Sequence, residues 1–462
     1  MCFLIYVVGI NRVSRVYKIK SYSFEVDLSH LTKAITQLVE KLERAPQGTK
    51  RLEQELLGPP NTHCIDWLDT QPHYPKFYWQ SRDTREEVVA LGQLHTFSEP
   101  APAYTILSDN QRVWGGRSFD GHSEKNRRCM SAFFFLPQVE LIRFDDGWRL
   151  AVNIGMSKEV SIRALKQLVA DAKELAPLAS DIVSLSHTPE KARWCELVED
   201  VLKGIEQDKF KKVVLARKTC VDLKHSISPA QLLKASYIQN HHSFHFLMAL
   251  SPEHAFVGST PERLYRRVGL ELETEALAGT IGRGGNAAQD MELANWLTQD
   301  HKNINENQYV VDDILHSLSP HSEQVHLETE LRLVRLRKVQ HLKRNILAHL
   351  HQGINGVQLL QALQPTAAVA GLPRAEAMQY IQDNEPFARG WYAGSVGYLS
   401  HEKAEFCVAI RSALLVKDEL QLFAGAGIVP GSIADDEWQE LDKKMSTLLS
   451  LISDQPSLGV AS

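Results

Sequence analysis

The sequence lacks paired cysteines and long basic or apolar runs. No two cysteines stand in a C-x-x-C spacing, which disfavours both a zinc knuckle and a disulfide framework. The scattered thiols instead predict a reducing, cytoplasmic location. The cysteines are Cys2, Cys64, Cys129, Cys195, Cys220 and Cys407.

Charge and hydropathy disfavour further classes of protein. Lysine and arginine total 51 against 56 aspartates and glutamates, a net charge of −5. Without a basic footprint, nucleic acid is not an expected partner. The apolar stretch 1–10 is too short to span a bilayer and lacks the basic start and small-residue cleavage site of a secretory signal. The basic segment 11–20 behind it leaves a membrane anchor as the alternative.

Length and patterning predict a large α/β or α+β protein. With 462 residues, 44% of them hydrophobic, the chain can bury a large core as one unit or as two to three domains. Residues 160–178 have helical spacing, and the polar stretch 184–190 predicts a connector. We expect an extension over 1–25, a sheet scaffold over 26–185 and a half that carries the chemistry over 186–452, together forming one compact unit.

Three local patterns predict parts of the scaffold. The aromatic stretch 67–79 is typical of a plug in the core. The runs 131–137 and 139–143 predict two successive strands, which a turn at Asp145 joins to a third strand over 148–153. The first half therefore predicts mainly sheet.

A glycine-rich stretch near the end of the chain has the features of an anion site. Gly425 and Gly427 let the backbone approach a ligand closely, and segment 425–432 is expected to be a loop that leads into a helix. A turn before a helix leaves N–H groups without internal partners, which suits an anion. Asp436 is the expected N-cap, and a carboxylate is the simplest ligand.

The helix after this loop carries acidic side chains on one face. Glu437 and Glu440 are three residues apart and therefore project in the same direction. Carboxylates so placed suit Mg²⁺, which prefers oxygen ligands and takes one or two protein carboxylates. The alternative is that acidic residues of the first turn complement the helix dipole, with Lys443 and Lys444 as solvated partners.

Two further residues have the chemistry of a base and an acid. Lys212 opens a strand of buried-type residues, and a desolvated lysine amine can act as a general base. Glu262 lies at a turn after an apolar strand, where a carboxylic acid can face a cleft. The alternatives are a lysine that snorkels from the strand end and a glutamate that pairs with Arg263 at the surface.

The remaining candidates are weaker one by one. Segment 274–284 is expected to form a small-residue loop, but it lacks the Gly-Lys-Ser/Thr ending of a P-loop, which disfavours a nucleotide. Glu306 stands on a predicted helix, 302–314, where it either completes the metal site or is structural. His341 and Arg411 each close a predicted strand, and an arginine there suits a bidentate carboxylate contact.

These motifs share their order and spacing with a known family. The chain resembles the chorismate-utilising enzymes across residues 190–450, and within them the isochorismate synthases of menaquinone biosynthesis, which its aromatic stretch 74–80 also resembles. The segments that carry the resemblance are KVVLAR (212–217), STPERL (259–264), EALAGT (275–280), ENQYVVDDI (306–314), LRKVQHL (336–342), LQPTAAVAGLPR (363–374), WYAGSVGYLS (391–400), CVAIRSA (407–413), GAGIVPGS (425–432) and EWQELDKK (437–444).

The resemblance implies a single large α/β unit with outer helices and with chorismate bound between sheets. It implies a reversible substitution with allylic shift, in which water adds at ring C2 as the C4 hydroxyl leaves. Lys212 would deprotonate the water, and Glu262 on the opposite side would protonate the leaving hydroxyl. Mg²⁺ would bind the ring carboxylate, with Glu306 and Glu440 as direct ligands and Glu437 acting through water.

The resemblance also assigns residues to the substrate. His341 would lie near C4 and the ring carboxylate, and Gly279 and Thr280 would line the ring pocket. The residues implied to hold the enolpyruvyl carboxylate are Tyr392, Arg411, Gly425 and Gly427, the glycines through their N–H groups.

Three positions bear on the choice within the family. Anthranilate and aminodeoxychorismate synthases, which use ammonia, typically have glutamine in place of Lys212, so water is the implied nucleophile and no glutamine amidotransferase partner is implied. Aminodeoxychorismate synthase also has a lysine in place of Ala278. Asn303 departs from the acidic residue common in the family, which implies fewer charges around the metal. Salicylate synthases, which add pyruvate elimination, and a chorismate-binding subunit without activity remain alternatives.

Overall fold

The computed structural model of the protein describes residues 29–121, 130–145 and 147–452. Its helices are α1 His30–Arg44, α2 Cys64–Thr70, α3 Pro100–Ile106, α4 Lys158–Lys166, α5 Lys191–Glu206, α6 Pro229–Gln239, α7 Ala287–Leu297, α8 His301–Leu318, α9 Gly356–Leu363, α10 Arg374–Asn384 and α11 Ala434–Leu449. Its strands are β1 Arg51–Glu55, β2 Lys76–Gln80, β3 Glu86–Phe97, β4 Val113–Arg117, β5 Ala132–Phe144, β6 Gly147–Asn153, β7 Ile182–Thr188, β8 Lys212–Leu223, β9 Phe244–Ser251, β10 His254–Thr260, β11 Arg263–Val268, β12 Glu271–Gly282, β13 Ser322–Leu327, β14 Arg332–Arg335, β15 Val339–Leu350, β16 Gly371–Leu372, β17 Ser395–Leu399, β18 Lys403–Val408, β19 Ser412–Val416 and β20 Glu419–Ile428.

Antiparallel pairing joins the strands into two large sheets that share β5. The first sheet runs β1, β6, β5, β3, β2, β9, β10, β19, β20, β8, and β7 and β16 follow one another along the outer edge of β8. The second sheet runs β5, β4, β17, β18, β11, β12, β15, with β13 and β14 on the outer edge of β15. The mixed helix and strand class with outer helices is as predicted.

Alternation along the strands divides the core into two clusters. Phe77 and Trp79 on one face of β2 belong to a cluster with residues of the second sheet, such as Phe406. Tyr78, on the other face, packs in a cluster with Trp67 of α2 and with residues of α1 and α6. Successive residues of a strand point to opposite faces, so one aromatic run supplies both cores. The predicted aromatic plug is confirmed, because these aromatic side chains are fully buried.

Strands from both sides of residue 185 pair with one another. β7 pairs with β8, β2 pairs with β9, and β4 pairs with β17. The expected extension over 1–25 lies outside the described residues. In the part of the chain that is described, no helix is both long and apolar enough to cross a membrane.

Three predictions about the first half are wrong. The runs 131–137 and 139–143 form one continuous strand, β5, because Pro137 takes part in the ladder without needing its missing N–H group. The helix expected over 160–178 ends at Lys166. The polar stretch 184–190 is mostly strand β7 rather than a connector, because β8 offers it an unpaired edge.

Three predictions about the second half are also wrong. Gly425 and Gly427 lie at the end of strand β20 and not in a loop, because β8 pairs with them, and only residues 429–433 connect that strand to α11. Segment 274–284 is mostly strand β12, with a register shift between Leu277 and Thr280. The N-cap of α11 is Ile433, and Asp436 lies within the first turn of that helix.

Candidate active site

Most of the predicted site residues line one cleft. The cleft lies where the ends of β8, β20, β12 and β15 meet helices α8 and α11. Its lining includes Glu262, Gly279, Thr280, Glu306, His341, Tyr392, Arg411, Gly425 and Gly427. Lys212 adjoins this lining through Glu306, and Glu440 adjoins it through Lys444.

The end of β20 presents backbone N–H groups to the cleft. Gly425 and Gly427 lie opposite Ala216 and Val214 of β8. The Gly425 carbonyl accepts a hydrogen bond from Lys444 Nζ at 2.8 Å, so the polar groups of Gly425 point away from β8. Residues two apart in a strand point the same way, and β19 pairs only as far as Leu422. The N–H groups of both glycines are therefore free to bind an anion.

Both glycines are required by the crowding around them. A Cβ on Gly427 would lie 2.4 Å from Glu306 Oε1 and 2.8 Å from Lys212 Cε. A Cβ on Gly425 would lie 2.8 Å from the hydroxyl of Tyr392. Any larger residue would fill the space that a ligand needs.

Lys212 and Glu306 form a buried ion pair. The side chain of Lys212 is fully buried, and its Nζ lies 3.0 Å from Glu306 Oε1. Burial favours the neutral carboxyl, but the charge and hydrogen bond of Lys212, together with the charges of Lys444 and Lys302, outweigh burial and lower the pKa of Glu306. The interpretation of Lys212 as a snorkelling surface lysine is wrong, since its strand lies inside the sheet between β20 and β16.

Glu262 is a buried carboxyl group in the connection between β10 and β11. Its residue is 4% exposed, and burial together with the negative charge of Glu275 raises the pKa of Glu262 to about 8. The group is therefore mostly protonated at neutral pH and able to donate a proton. The surface pairing of Glu262 with Arg263 does not occur, because Arg263 pairs with Glu273 and Glu405 instead.

The tautomer of His341 follows from its neighbours. Arg411 Nη2 lies 3.3 Å from His341 Nε2, and a guanidinium can only donate, so Nε2 is the acceptor. Nδ1 then carries the proton and donates to Thr280 Oγ1 at 3.0 Å. Burial and the charge of Arg411 lower the pKa of His341 well below its usual value, which keeps the ring neutral.

Arg411 and Tyr392 supply polar groups to the side of the cleft near the β20 edge. Burial lowers the pKa of Arg411 to about 10, so the guanidinium is still a cation at neutral pH. The ring of Tyr392 stacks on Phe423 with centroids 5.1 Å apart. Burial raises the pKa of Tyr392, so its hydroxyl stays protonated and can donate a hydrogen bond.

The three carboxylates proposed for a metal each bind a lysine. Besides the Glu306 pair, Glu437 Oε1 accepts from Lys302 Nζ at 2.7 Å, and Glu440 Oε1 lies 2.6 Å from Lys444 Nζ. Burial and the neighbouring charge of Glu440 raise the pKa of Glu437. Within the described ranges, no set of three or more histidine, cysteine, aspartate or glutamate side chains is arranged to hold a metal ion.

Comparison with known proteins identifies the family of this cleft. The model of a family described as "Chorismate binding enzyme" matches residues 101–453. The chain belongs to the chorismate-binding enzymes. It is 38% identical over 428 residues to isochorismate synthase MenF of Escherichia coli, which covers 87% of this chain and 96% of that protein. It is 39% identical over 397 residues to MenF of Pasteurella multocida, covering 84% of this chain and 90% of that protein.

Solved structures agree with the family assignment. The menaquinone-specific isochorismate synthase MenF from Escherichia coli matches with a TM-score of 0.85 and 37% identity, over 92% of this chain and all of that one. Anthranilate synthase component I from Streptococcus pneumoniae, at 19% identity and a TM-score of 0.62, shares the fold.

Three residues of this chorismate-binding enzyme have roles that the sequence analysis missed. Lys444, expected to be solvated, lines the cleft and binds Gly425 and Glu440. Its spacing of four from Glu440 was the available signal. Lys302 binds Glu437, and its position four residues before Glu306 places it on the same face of α8 as that carboxylate. Asn303 accepts a hydrogen bond from the Thr280 N–H at 3.0 Å through Oδ1, so it supports the end of β12 that carries Gly279 and Thr280.

Proposed function

We propose that this chorismate-binding enzyme is an isochorismate synthase, an isomerase that interconverts chorismate and isochorismate. One observation carries the proposal, which is that a single cleft brings three kinds of group together. The cleft borders on the buried Lys212, and it is lined by the Glu262 carboxyl, which burial keeps protonated, and by the free N–H groups at the end of β20. The MenF relatives, named isochorismate synthases, are 38% and 39% identical to this chain over most of their length.

The proposed reaction needs one proton acceptor and one proton donor. Lys212 takes a proton from a water molecule whose oxygen bonds to ring C2. The ring double bond shifts, the C4–O bond breaks, and Glu262 gives its proton to the departing oxygen, which leaves as water. One water enters and one leaves, so the reaction is an isomerisation. Burial keeps the Glu262 carboxyl protonated, as a proton donor in acid catalysis must be.

The enolpyruvyl carboxylate of the substrate is proposed to bind at the edge of β20. The N–H groups of Gly425 and Gly427, with Arg411 and Tyr392, form an anion site for the enolpyruvyl carboxylate. The neutral ring of His341 accepts a hydrogen bond from Arg411 and so orients that guanidinium. His341 is also proposed to contact the substrate near C4. Gly279 and Thr280 line the ring pocket, where the φ of +85° at Gly279 brings its backbone against Asn303.

Mg²⁺ is the proposed cofactor, and the chemistry of the donor set fits it. Lys302 interacts with three carboxylates, those of Glu306, Glu437 and Glu440. Burial lowers the pKa of Lys302, but these carboxylates together outweigh burial and raise that pKa. Hard carboxylate oxygens are what Mg²⁺ prefers. Glu306 and Glu440 would hold the ion directly and Glu437 through water. When bound, the ion supplies positive charge for the ring carboxylate of the substrate.

The biological setting is proposed on the same basis. The Escherichia coli structure is described as menaquinone-specific, and we propose menaquinone biosynthesis for this chain. A cytoplasmic location remains a prediction from the scattered cysteines. Because water is the proposed nucleophile, we expect no glutamine amidotransferase subunit and no nucleic-acid partner.

The test is incubation of the purified protein with chorismate and Mg²⁺, followed by chromatography of the products. Isochorismate in equilibrium with chorismate, without salicylate or pyruvate, is the expected result. Salicylate with pyruvate would make the chain a salicylate synthase. Unchanged chorismate would make it a binding subunit without activity and would overturn the proposal.

A further inference from the structure

A buried ion pair outside the cleft lining joins several parts of the site. Glu385 follows the end of α10, Arg389 lies four residues later, and both side chains are 2% exposed. Arg389 Nε donates to Glu385 Oε2 at 2.8 Å, and Arg389 Nη2 donates to Glu385 Oε1. Such a pair has a fixed geometry because the planar guanidinium meets the carboxylate at two points.

The same two side chains also bind backbone. Arg389 Nη1 donates to the Val369 carbonyl at 2.8 Å, and Nη2 donates to the Val214 carbonyl at 2.7 Å. Glu385 Oε1 accepts the Ala216 N–H at 2.8 Å. Every one of these backbone groups is buried, so a lost partner would leave an unsatisfied polar group.

These contacts fill a gap along the edge of β8. β16 pairs with β8 only at Lys212 and Val213, and β7 pairs with it only from Lys218 onward. Between them, no strand of the described residues lies beside the outer edge of β8. Glu385 and Arg389 supply the donor and acceptor there, in place of a strand.

The other edge of this stretch carries the anion site. Val214 and Ala216 lie opposite Gly427 and Gly425 of β20, and Lys212 precedes Val214 by two residues on the same strand. Val214 and Val369 both line the cleft. Displacement of β8 at this point would therefore move Lys212, the glycine edge of β20 and the cleft wall at Val214 together.

The pair reaches the tyrosine of the anion site as well. The Tyr392 N–H donates to the Arg389 carbonyl at 3.2 Å. The guanidinium of Arg389 stacks on Phe119, with 4.2 Å between its Cζ and the ring centroid. The arginine is thus clamped on one side by an aromatic ring and on the other by the carboxylate.

We propose that Glu385 and Arg389 are positioning residues for catalysis, which hold the β8 segment at the register and distance that Lys212 and the anion site require. Neither residue lines the cleft, so neither touches the substrate. The inference rests on the proposed function for its kinetic test. The binding test of the inference depends only on the cleft and not on turnover.

The first experiment compares Arg389→Lys with the wild type. Lysine keeps the charge, but its single nitrogen has three donors and cannot reproduce the four hydrogen bonds of the planar guanidinium to Glu385, Val214 and Val369. The matched control is Arg51→Lys, since Arg51 is a buried arginine paired with Glu140 at the far edge of the first sheet. We expect kcat to fall at least about tenfold in Arg389→Lys. This loss should exceed any loss of folded protein, which circular dichroism and thermal unfolding measure. In Arg51→Lys, kcat and KM should stay near the wild-type values.

A second pair of variants separates an effect on the position of β8 from an effect on folding of the protein. Glu385→Gln keeps an oxygen that can accept the Ala216 N–H, whereas Glu385→Ala does not. We expect kcat in the order wild type, Glu385→Gln, Glu385→Ala. Equal kcat in both variants, or a loss in Arg389→Lys that matches its folded fraction, would overturn the inference.

Failure of the proposed function is distinguished by a binding measurement. Calorimetric titration with chorismate, in the Lys212→Ala background, reports the anion site without turnover. We expect at least about fivefold weaker binding in Arg389→Lys than in Arg51→Lys. If the wild type makes no isochorismate, this difference still tests the pair, and equal affinities would refute it.

Discussion

Lys212 Nζ lies 3.0 Å from Glu306 Oε1, so the proposed base and a proposed metal ligand are partners in this structure. The pair explains how a fully buried lysine is tolerated, because a buried charge without a partner is strongly unfavourable. It also means that the two groups depend on each other. Ligation of Glu306 by a cation would free the amine of Lys212 from its partner.

Replacement of Lys212 tests the base. Lys212→Ala removes the proton acceptor and should lower kcat by about 10²-fold or more, the usual scale for a general base. Product formation from chorismate, followed by chromatography, measures it. Lys211→Ala is the control, since Lys211 is the exposed neighbour and should leave kcat unchanged. A near-normal rate in Lys212→Ala would remove the base from this position.

Replacement of Glu262 tests the acid. Glu262→Gln keeps the size of the side chain but has no carboxyl proton to give, so kcat should fall by about 10²-fold or more. Glu273→Gln is a suitable control, because Glu273 pairs with Arg263 at a half-exposed site. Wild-type turnover in Glu262→Gln would assign the proton donor elsewhere.

The pH dependence follows from the same carboxyl group. The active form of Glu262 is protonated, and its raised pKa lies at about 8. Activity should therefore persist at neutral pH and fall as pH rises through about 8, because the proton is then lost. The residual activity of Glu262→Gln should lack this alkaline decline. An identical decline in that variant would show that a different group titrates.

The glycine edge of β20 is tested by adding one methyl group. Gly427→Ala places a Cβ 2.4 Å from Glu306 Oε1, so the Lys212 and Glu306 pair must move. We expect kcat/KM to fall at least about tenfold while the folded structure, measured by circular dichroism, is retained. Gly147→Ala is the control, since the atom nearest its Cβ is 3.6 Å away. Equal activity of the two variants would contradict the role of this edge.

Metal removal tests the cofactor. A chelator should abolish turnover, and added Mg²⁺ should restore it, because the proposed ligands are hard carboxylate oxygens. Glu440→Ala should abolish activity at ordinary Mg²⁺ and weaken Mg²⁺ binding measured by calorimetry. Activity that is undiminished in the chelator would remove the metal from the reaction.

Several elements followed from local sequence. Helix α8 includes the helix expected over 302–314, because apolar residues at helical spacing form its buried face. The strands that carry Lys212 and the residues before Glu262 were also expected, since short runs of β-branched residues bounded by turns are typical of buried strands. Local chemistry indicated Lys212 and Glu262 as candidates, and the resemblance joined these distant motifs into one proposed site.

Other elements depended on neighbours that no local pattern shows. Gly425–Gly427 looked like a loop before a helix, yet β8 pairs with them and makes them a strand. The polar stretch 184–190 became mostly strand β7 for the same reason. Strand pairing is a contact between distant residues, so a local window cannot predict it.

The sequence by itself determined the class of fold and the family, because motif order survives in the chain as written, and it supplied the residues that are proposed as acid, base and anion site. Only the tertiary structure decided how these groups act on one another. It paired each proposed metal ligand with a lysine, kept the Glu262 carboxyl protonated through burial, and set the tautomer of His341 through Arg411. Desolvation and short-range electrostatics arise only when distant segments are packed together.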